Sequence, residues 1–171
     1  MIALVAALAV VSITSSLNWP ILSEALRNQG YSESMIGINA AAQFAGIIVV
    51  ALATPRIIPA LGFFKAIVLG LVVVAVTLIA LPAFRSFETW LVIRFLLGMG
   101  NSLLFTTGDT WINHIVNDRV RGRWMGIYVT AGMAGWAVGP LLGAYLDPGT
   151  YWPFVWGLLA IVVAAGFLLP T

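Results

Sequence analysis

Apolar residues in this chain fall into six long blocks, at roughly 1–26, 34–54, 64–84, 89–113, 124–146 and 151–170. Turn-forming and charged residues gather between them: Arg27 to Ser34 with Gly30, Thr54 to Lys65 with Pro55, Pro59 and Gly62, Arg85 to Glu88, His114 to Arg123, and Asp147 to Gly149. Each block approaches or exceeds the ~20 residues with which an α-helix crosses ~30 Å of hydrocarbon. A closed β-barrel also leaves no backbone group unpaired in lipid, but its strands are half this length and alternate with period two, which these blocks do not. The pattern predicts an all-α membrane protein in which residues 1–171 form one domain of six transmembrane helices.

Composition supports the bilayer as solvent. Of 171 residues, 61% are hydrophobic and 8% charged, where a soluble domain carries about 25% charged residues; the mean hydropathy is +1.05. The first block has the apolar core of a secretion signal but lacks a basic leading region, and its apolar run continues through Trp19 to Leu26. It reads as a membrane helix, with a polar start trimmed away. A net charge of +2 gives no basic face for nucleic acid. With no cysteine and only His114 as histidine, no metal site is expected, and no cofactor.

Positive charge sets the expected orientation. Loops two and four hold Arg56, Lys65, Arg119, Arg121 and Arg123, whereas loops one and three hold only Arg27 and Arg85, and loop five holds none. Loops rich in Lys and Arg stay in the cytoplasm. Six spans then place both termini inside, in the cell (inner) membrane.

The chain also repeats itself. Without gaps, "GINAAAQFAGIIVVAL" (37–52) aligns with "GIYVTAGMAGWAVGPL" (126–141), matching Gly37 to Gly126, Ala42 to Ala131, Gly46 to Gly135 and Leu52 to Leu141 among others. No comparable match links the first block to the fourth. The repeat lies three helices on, so helices two and five face opposite ways, as in an inverted three-plus-three transporter architecture. In the fifth helix, Gly132, Gly135, Gly139 and Gly143 fall within about 80° of one another at ~100° per residue. A smooth face of this kind lets two helices approach closely in lipid. Pro140 removes one backbone hydrogen bond and is expected to bend the helix near residue 136.

These residues carry a resemblance to a known family. "GIYVTAGMAGWAVGPLLGAYL" resembles the fifth-helix antiporter motif of the major facilitator superfamily, with Gly126, Gly135, Gly139, Pro140 and Gly143 in place and Ala144 where a last glycine is usual. "RFLLGMGNS" resembles the family's Arg-containing fourth-helix motif through Arg94, Gly98 and Gly100, and "DRVRGRWMG" resembles its Arg-Gly-rich cytoplasmic loop. The signature between helices two and three keeps Arg56, Gly62 and Lys65, but Pro55 stands where an Asp is usual. The resemblance implies half of a major facilitator fold. The missing partner is then a second six-helix half, or a second copy of this chain; the ending "GFLLPT", without a polar tail, favours a truncated half.

Ionisable groups inside a membrane are costly and become functional candidates. On helix four, Arg94, Gly98, Asn101, Phe105, Gly108 and Asp109 lie within about 100° of one another, so a polar stripe of small residues faces protein or water. Arg94 and Asp109 are roughly 22 Å apart along the axis and cannot pair. Two roles stand open for Arg94, proton coupling or anion binding on one side and a hydrogen bond to a neighbouring helix carbonyl on the other. Asp109 is expected to form a structural or gating ion pair with Arg119, Arg121 or Arg123, and Arg56 belongs to the same end.

Helix one carries Ser12, Ser15, Ser16 and Asn18, too many polar groups for a lipid face, with Pro20 expected to break the helix beyond them. In the family, helices one and four line the substrate path, which makes Asn18, Trp19 and Asn101 candidate contacts; Gln43 on helix two joins them. Interhelical hydrogen bonding explains the same residues equally well. Trp90, Trp111, Trp124, Tyr151 and Trp152 lie near span ends and read as interfacial anchors.

No nucleophile stands beside a base, no carboxylates are paired, and no phosphate loop is present. An enzyme is not expected. The leading expectation is secondary active transport of a small molecule, coupled to protons and directed outward, by alternating access. The alternatives are a six-helix homodimeric carrier or pore, and a membrane scaffold or receptor that transports nothing.

Overall fold

The computed structural model describes residues 2–143, 145, 155, 157–159, 162 and 166. Five helices fill the continuous part: α1 (Ile2–Asn28), α2 (Glu33–Leu61), α3 (Phe63–Ala83), α4 (Phe87–Ile115) and α5 (Asp118–Gly143). The described residues of the sixth block are also helical, and no strand occurs among the described residues. Helices α2 to α5 each meet the length and apolarity needed to cross a membrane. The protein is an all-α integral membrane protein.

Three helix ends differ from the expectation. Proline fixes φ near a helical value and costs one hydrogen bond, and helices in lipid tolerate that loss when neighbours compensate. Accordingly α1 runs through Pro20 to Asn28, and α2 runs through Pro55 and Pro59 to Leu61. The chain turns instead at Gly62, whose φ of 77° suits glycine and few other residues. At α5 the helix starts six residues before the expected Trp124. Asn117 Oδ1 accepts the Arg119 N–H at 3.1 Å, and Asp118 sits in the first turn, so a cap and a favourable charge begin the helix where a loop was expected.

Helices α1 and α5 form one tightly packed pair and α2 and α4 another, with α3 against α4. A Cβ on Gly46 of α2 would run into the Phe95 carbonyl and the Met99 N of α4. A Cβ on Gly135 of α5 would meet the Ala9 carbonyl and the Ile13 N of α1, at 2.9 and 3.2 Å. The two contacts are the same contact. Phe95 follows Ala9, and Met99 follows Ile13, by the 86 residues that separate Ser15 from Asn101, and Gly135 follows Gly46 by the step that separates Gly37 from Gly126.

That register holds along the whole interface. Gly98 meets the Gln43 backbone as Gly132 meets Ser12, and Gly143 meets Pro20 where Thr54 hydrogen-bonds Thr106. A third pair follows the same relation: Gly70 of α3 lies against Gly100 of α4, and Gly157 of the sixth block lies against Thr14 of α1. The fold is an inverted three-plus-three repeat. Contacts of this kind exist because lipid offers no hydrophobic drive for pairing, so close backbone approach through glycine supplies the dispersion energy.

Between the pairs lies an apolar core that includes Val11, Leu22, Leu26, Val74, Leu78, Leu81, Leu97, Leu104 and Ile112. Trp90 belongs to it rather than to an interfacial belt: it is 4% exposed and its Nε1–H donates to the Leu81 carbonyl at 3.0 Å, near the end of α3. Trp111 stacks on Phe63 with ring centroids 6.1 Å apart. Tyr151 and Trp152 lie outside the described residues.

Candidate functional site

Helix α4 carries Arg94 into the interior, where it is 1% exposed. Its guanidinium carbon lies 5.3 Å from the centre of the Trp19 ring of α1. Trp19 in turn makes edge contacts with Phe44 of α2 at 5.2 Å and Trp136 of α5 at 6.4 Å. The charge therefore sits over an aromatic face, a favourable arrangement when desolvated. Two of its three nitrogens, Nε and Nη2, have no hydrogen-bond partner among the described residues. Neither reaches a helix carbonyl among the described residues.

Polar groups of α1, α2 and α4 share this state. Buried and unpartnered among the described residues are Asn18 Oδ1, Trp19 Nε1, both side-chain atoms of Asn39, Gln43 Nε2 and Asn101 Nδ2. The α2–α4 register sets Gln43 against Gly98 and lets Ser102 Oγ donate to the Ile47 carbonyl at 2.9 Å; one turn back along both helices, Asn39 comes level with Arg94. Unpaired buried polar groups cost ~1–3 kcal/mol each; most of them gather here, and Thr107 Oγ1, farther along α4, is also unpartnered among the described residues. Asn18 Nδ2 and Asn101 Oδ1 are satisfied, by the Thr14 carbonyl at 2.7 Å and the Ser15 hydroxyl at 3.0 Å.

At the other end of α4, half-buried Asp109 lies beside the buried Tyr128 of α5. A cavity of about 200 Å³ opens beside them between α1, α4 and α5. Among the described residues no ion pair joins Asp109 to Arg119, Arg121 or Arg123; Arg121 pairs with Asp118 at 2.5 Å, and Arg56, Arg119 and Arg123 are exposed. Arg119, Arg121 and Arg123 all lie in the first turns of α5. At the opposite end of the bundle, Arg27 bridges Glu24 and Glu33 at 3.0 and 3.1 Å.

The fifth-helix motif divides in two. Gly135, Gly139 and Gly143 are buried against α1, where a Cβ on Gly139 would strike Ser16 Oγ and the Ile13 carbonyl. Ser16 Oγ donates to the Gly135 carbonyl at 3.1 Å across the same seam. Gly126 has open space around it, and Pro140 is exposed away from α1. Two residues of the site escaped the sequence reading. Asn39 stands four residues before Gln43 in an otherwise apolar run, a helical spacing that could have revealed it; Tyr128 carries no such signal.

The comparison with known proteins agrees with this geometry. Residues 4–171 match the family model of the Major Facilitator Superfamily. The chain is also similar to the "Uncharacterized MFS-type transporter YfkF" of Bacillus subtilis (strain 168), at 25% identity over 136 residues, which cover 80% of this chain and 35% of that protein. The chain thus spans about a third of the relative's length. A bundle built as an inverted repeat, with its buried polar groups on α1, α2 and α4 and a glycine seam between α1 and α5, together with a family match over almost every residue, leads to one conclusion: the chain belongs to the Major Facilitator Superfamily.

Proposed function

We propose that the full-length protein is a proton-coupled secondary transporter that exports a small molecule by alternating access across the cell membrane, with both ends of this six-helix unit in the cytoplasm. A second six-helix half completes the path. The observation that carries the proposal is the buried Arg94 guanidinium with two unpartnered nitrogens, level with Asn39 and facing Trp19. A desolvated cation without a counter-charge is expensive. Its partner therefore comes from outside the described residues, as a substrate anion or as a carboxylate of the second half that is paired in one state and released in the other. Asn18, Gln43 and Asn101 offer neutral donors and acceptors to the same guest.

Flux through proteoliposomes holding the full-length protein tests this, together with the thermal stability of the same preparations. Arg94→Lys keeps the charge but loses the planar fork, and is expected to retain part of the proton-driven flux. Arg94→Ala is expected to abolish proton-driven flux while the protein stays folded. An Arg94→Ala protein with a lowered melting temperature and an unchanged pH profile of flux would make Arg94 a structural residue and remove the proposal's support.

A further inference from the structure

The cavity beside Asp109 has walls of a particular chemistry. Aromatic rings of Phe105, Tyr128 and Trp136 and the thioether of Met133 line it, Ser12 adds a hydroxyl, and among the described residues Asp109 is the one carboxylate on its surface. Tyr128, 8% exposed, stands beside the carboxylate on the cavity wall. A carboxylate has room for about four hydrogen bonds or close cationic contacts, and among the described residues no cation is paired with Asp109. A carboxylate inside a membrane segment calls for a counter-charge. Aromatic faces with a carboxylate behind them attract a cation that carries its own apolar shell, because such a cation loses little hydration on entry and gains both the ring quadrupoles and the opposite charge.

We propose that this cavity is a binding site for a small organic monocation bearing an alkylated ammonium group, with Asp109 as counter-ion and Phe105, Tyr128 and Trp136 as the aromatic wall. Asp109 lies roughly 22 Å along α4 from Arg94, while Trp136, at the far wall of the cavity, touches the Trp19 ring that faces Arg94. The cavity's place on a transport path rests on the function proposed above, but binding itself does not, so equilibrium binding and flux report on different claims.

Calorimetric titration of the purified full-length protein in detergent with choline as probe, and with 3,3-dimethyl-1-butanol as its uncharged isostere, decides the matter. Saturable choline binding is expected, at least about tenfold tighter than that of the isostere, and weakened more than about tenfold by Asp109→Asn, which keeps the side-chain shape and removes the charge. Trp136→Leu should weaken it by roughly threefold to tenfold. Gly37→Ala on α2, where an added Cβ meets nothing within 4 Å, should leave it within about twofold. Absence of saturable choline binding to the parent, equal binding of the isostere, or an Asp109→Asn protein that binds choline as the parent does would each overturn the site, the last two leaving a neutral apolar pocket or a carboxyl that takes up only a proton. Retained binding without any flux would instead refute the transport function and leave the site standing.

Discussion

Ser15 Oγ donates to Asn101 Oδ1 at 3.0 Å, and the two residues are equivalent positions of the inverted repeat, since the 86-residue step between them is the step that carries Ala9 onto Phe95 and Ile13 onto Met99. The bond therefore lies on the pseudo-twofold axis that exchanges α1 with α4. It ties the two packed helix pairs together at their crossing. Buried polar contacts between membrane helices contribute about 0.6 kcal/mol on average and up to about 1.7. A double-mutant cycle of Ser15→Ala and Asn101→Ala, read by equilibrium unfolding in mixed micelles, should give a coupling energy in that range; additive single effects would show that the bond contributes nothing.

The glycine seams should respond by position rather than by residue type. Gly46→Ala and Gly98→Ala put a methyl group onto the backbone carbonyls of Phe95 and Gln43, an overpacking that typically costs about 1–3 kcal/mol. Gly126→Ala meets nothing within 4 Å and gains up to about 1 kcal/mol of helix propensity. Melting temperatures of the three purified variants test the contrast. A Gly126→Ala protein as damaged as the other two would undo it.

On the matching seam, Gly139→Leu should drive α5 away from Ser16 and Ile13. In the proposed alternating-access mechanism this surface adjusts as the path opens and closes, so flux per folded molecule should fall by more than expression does. Parental flux in this variant would show that close α1–α5 contact is dispensable.

Trp90→Phe should cost about 1 kcal/mol, the worth of a typical buried hydrogen bond, since it keeps the ring but leaves the Leu81 carbonyl without the indole donor. Thermal unfolding measures it. An unchanged melting temperature would mean that water replaces the indole and that the position is interfacial after all.

Orientation has its own test in a chain free of cysteine. Ala60→Cys and Arg121→Cys, at the arginine-rich end, should react in whole cells only with membrane-permeant thiol reagents, whereas Gln29→Cys at the other end should react with impermeant ones. The reverse labelling would invert the topology.

Sequence alone determined the solvent, the fold class and one half of the repeat. Apolar length against bilayer thickness is a one-dimensional property, and so is the spacing of Gly135, Gly139 and Gly143 on one helix face. The relation of α1 to α4 stayed invisible in the sequence because their equivalent positions carry different side chains, Ala9 and Phe95 or Ile13 and Met99; what they share is a backbone carbonyl and an amide offered to a glycine, which letters do not record. Helix ends at Pro20, Pro55 and Pro59 were misjudged for a related reason, since in a bundle the lost hydrogen bond is offset by packing along the rest of the helix. Arg94 and Asp109 were legible as costly charges. Only the tertiary structure decided their company, Trp19 for one and Tyr128 for the other, because partners on separate helices meet through crossing geometry and register, and neither is encoded in the residues next door.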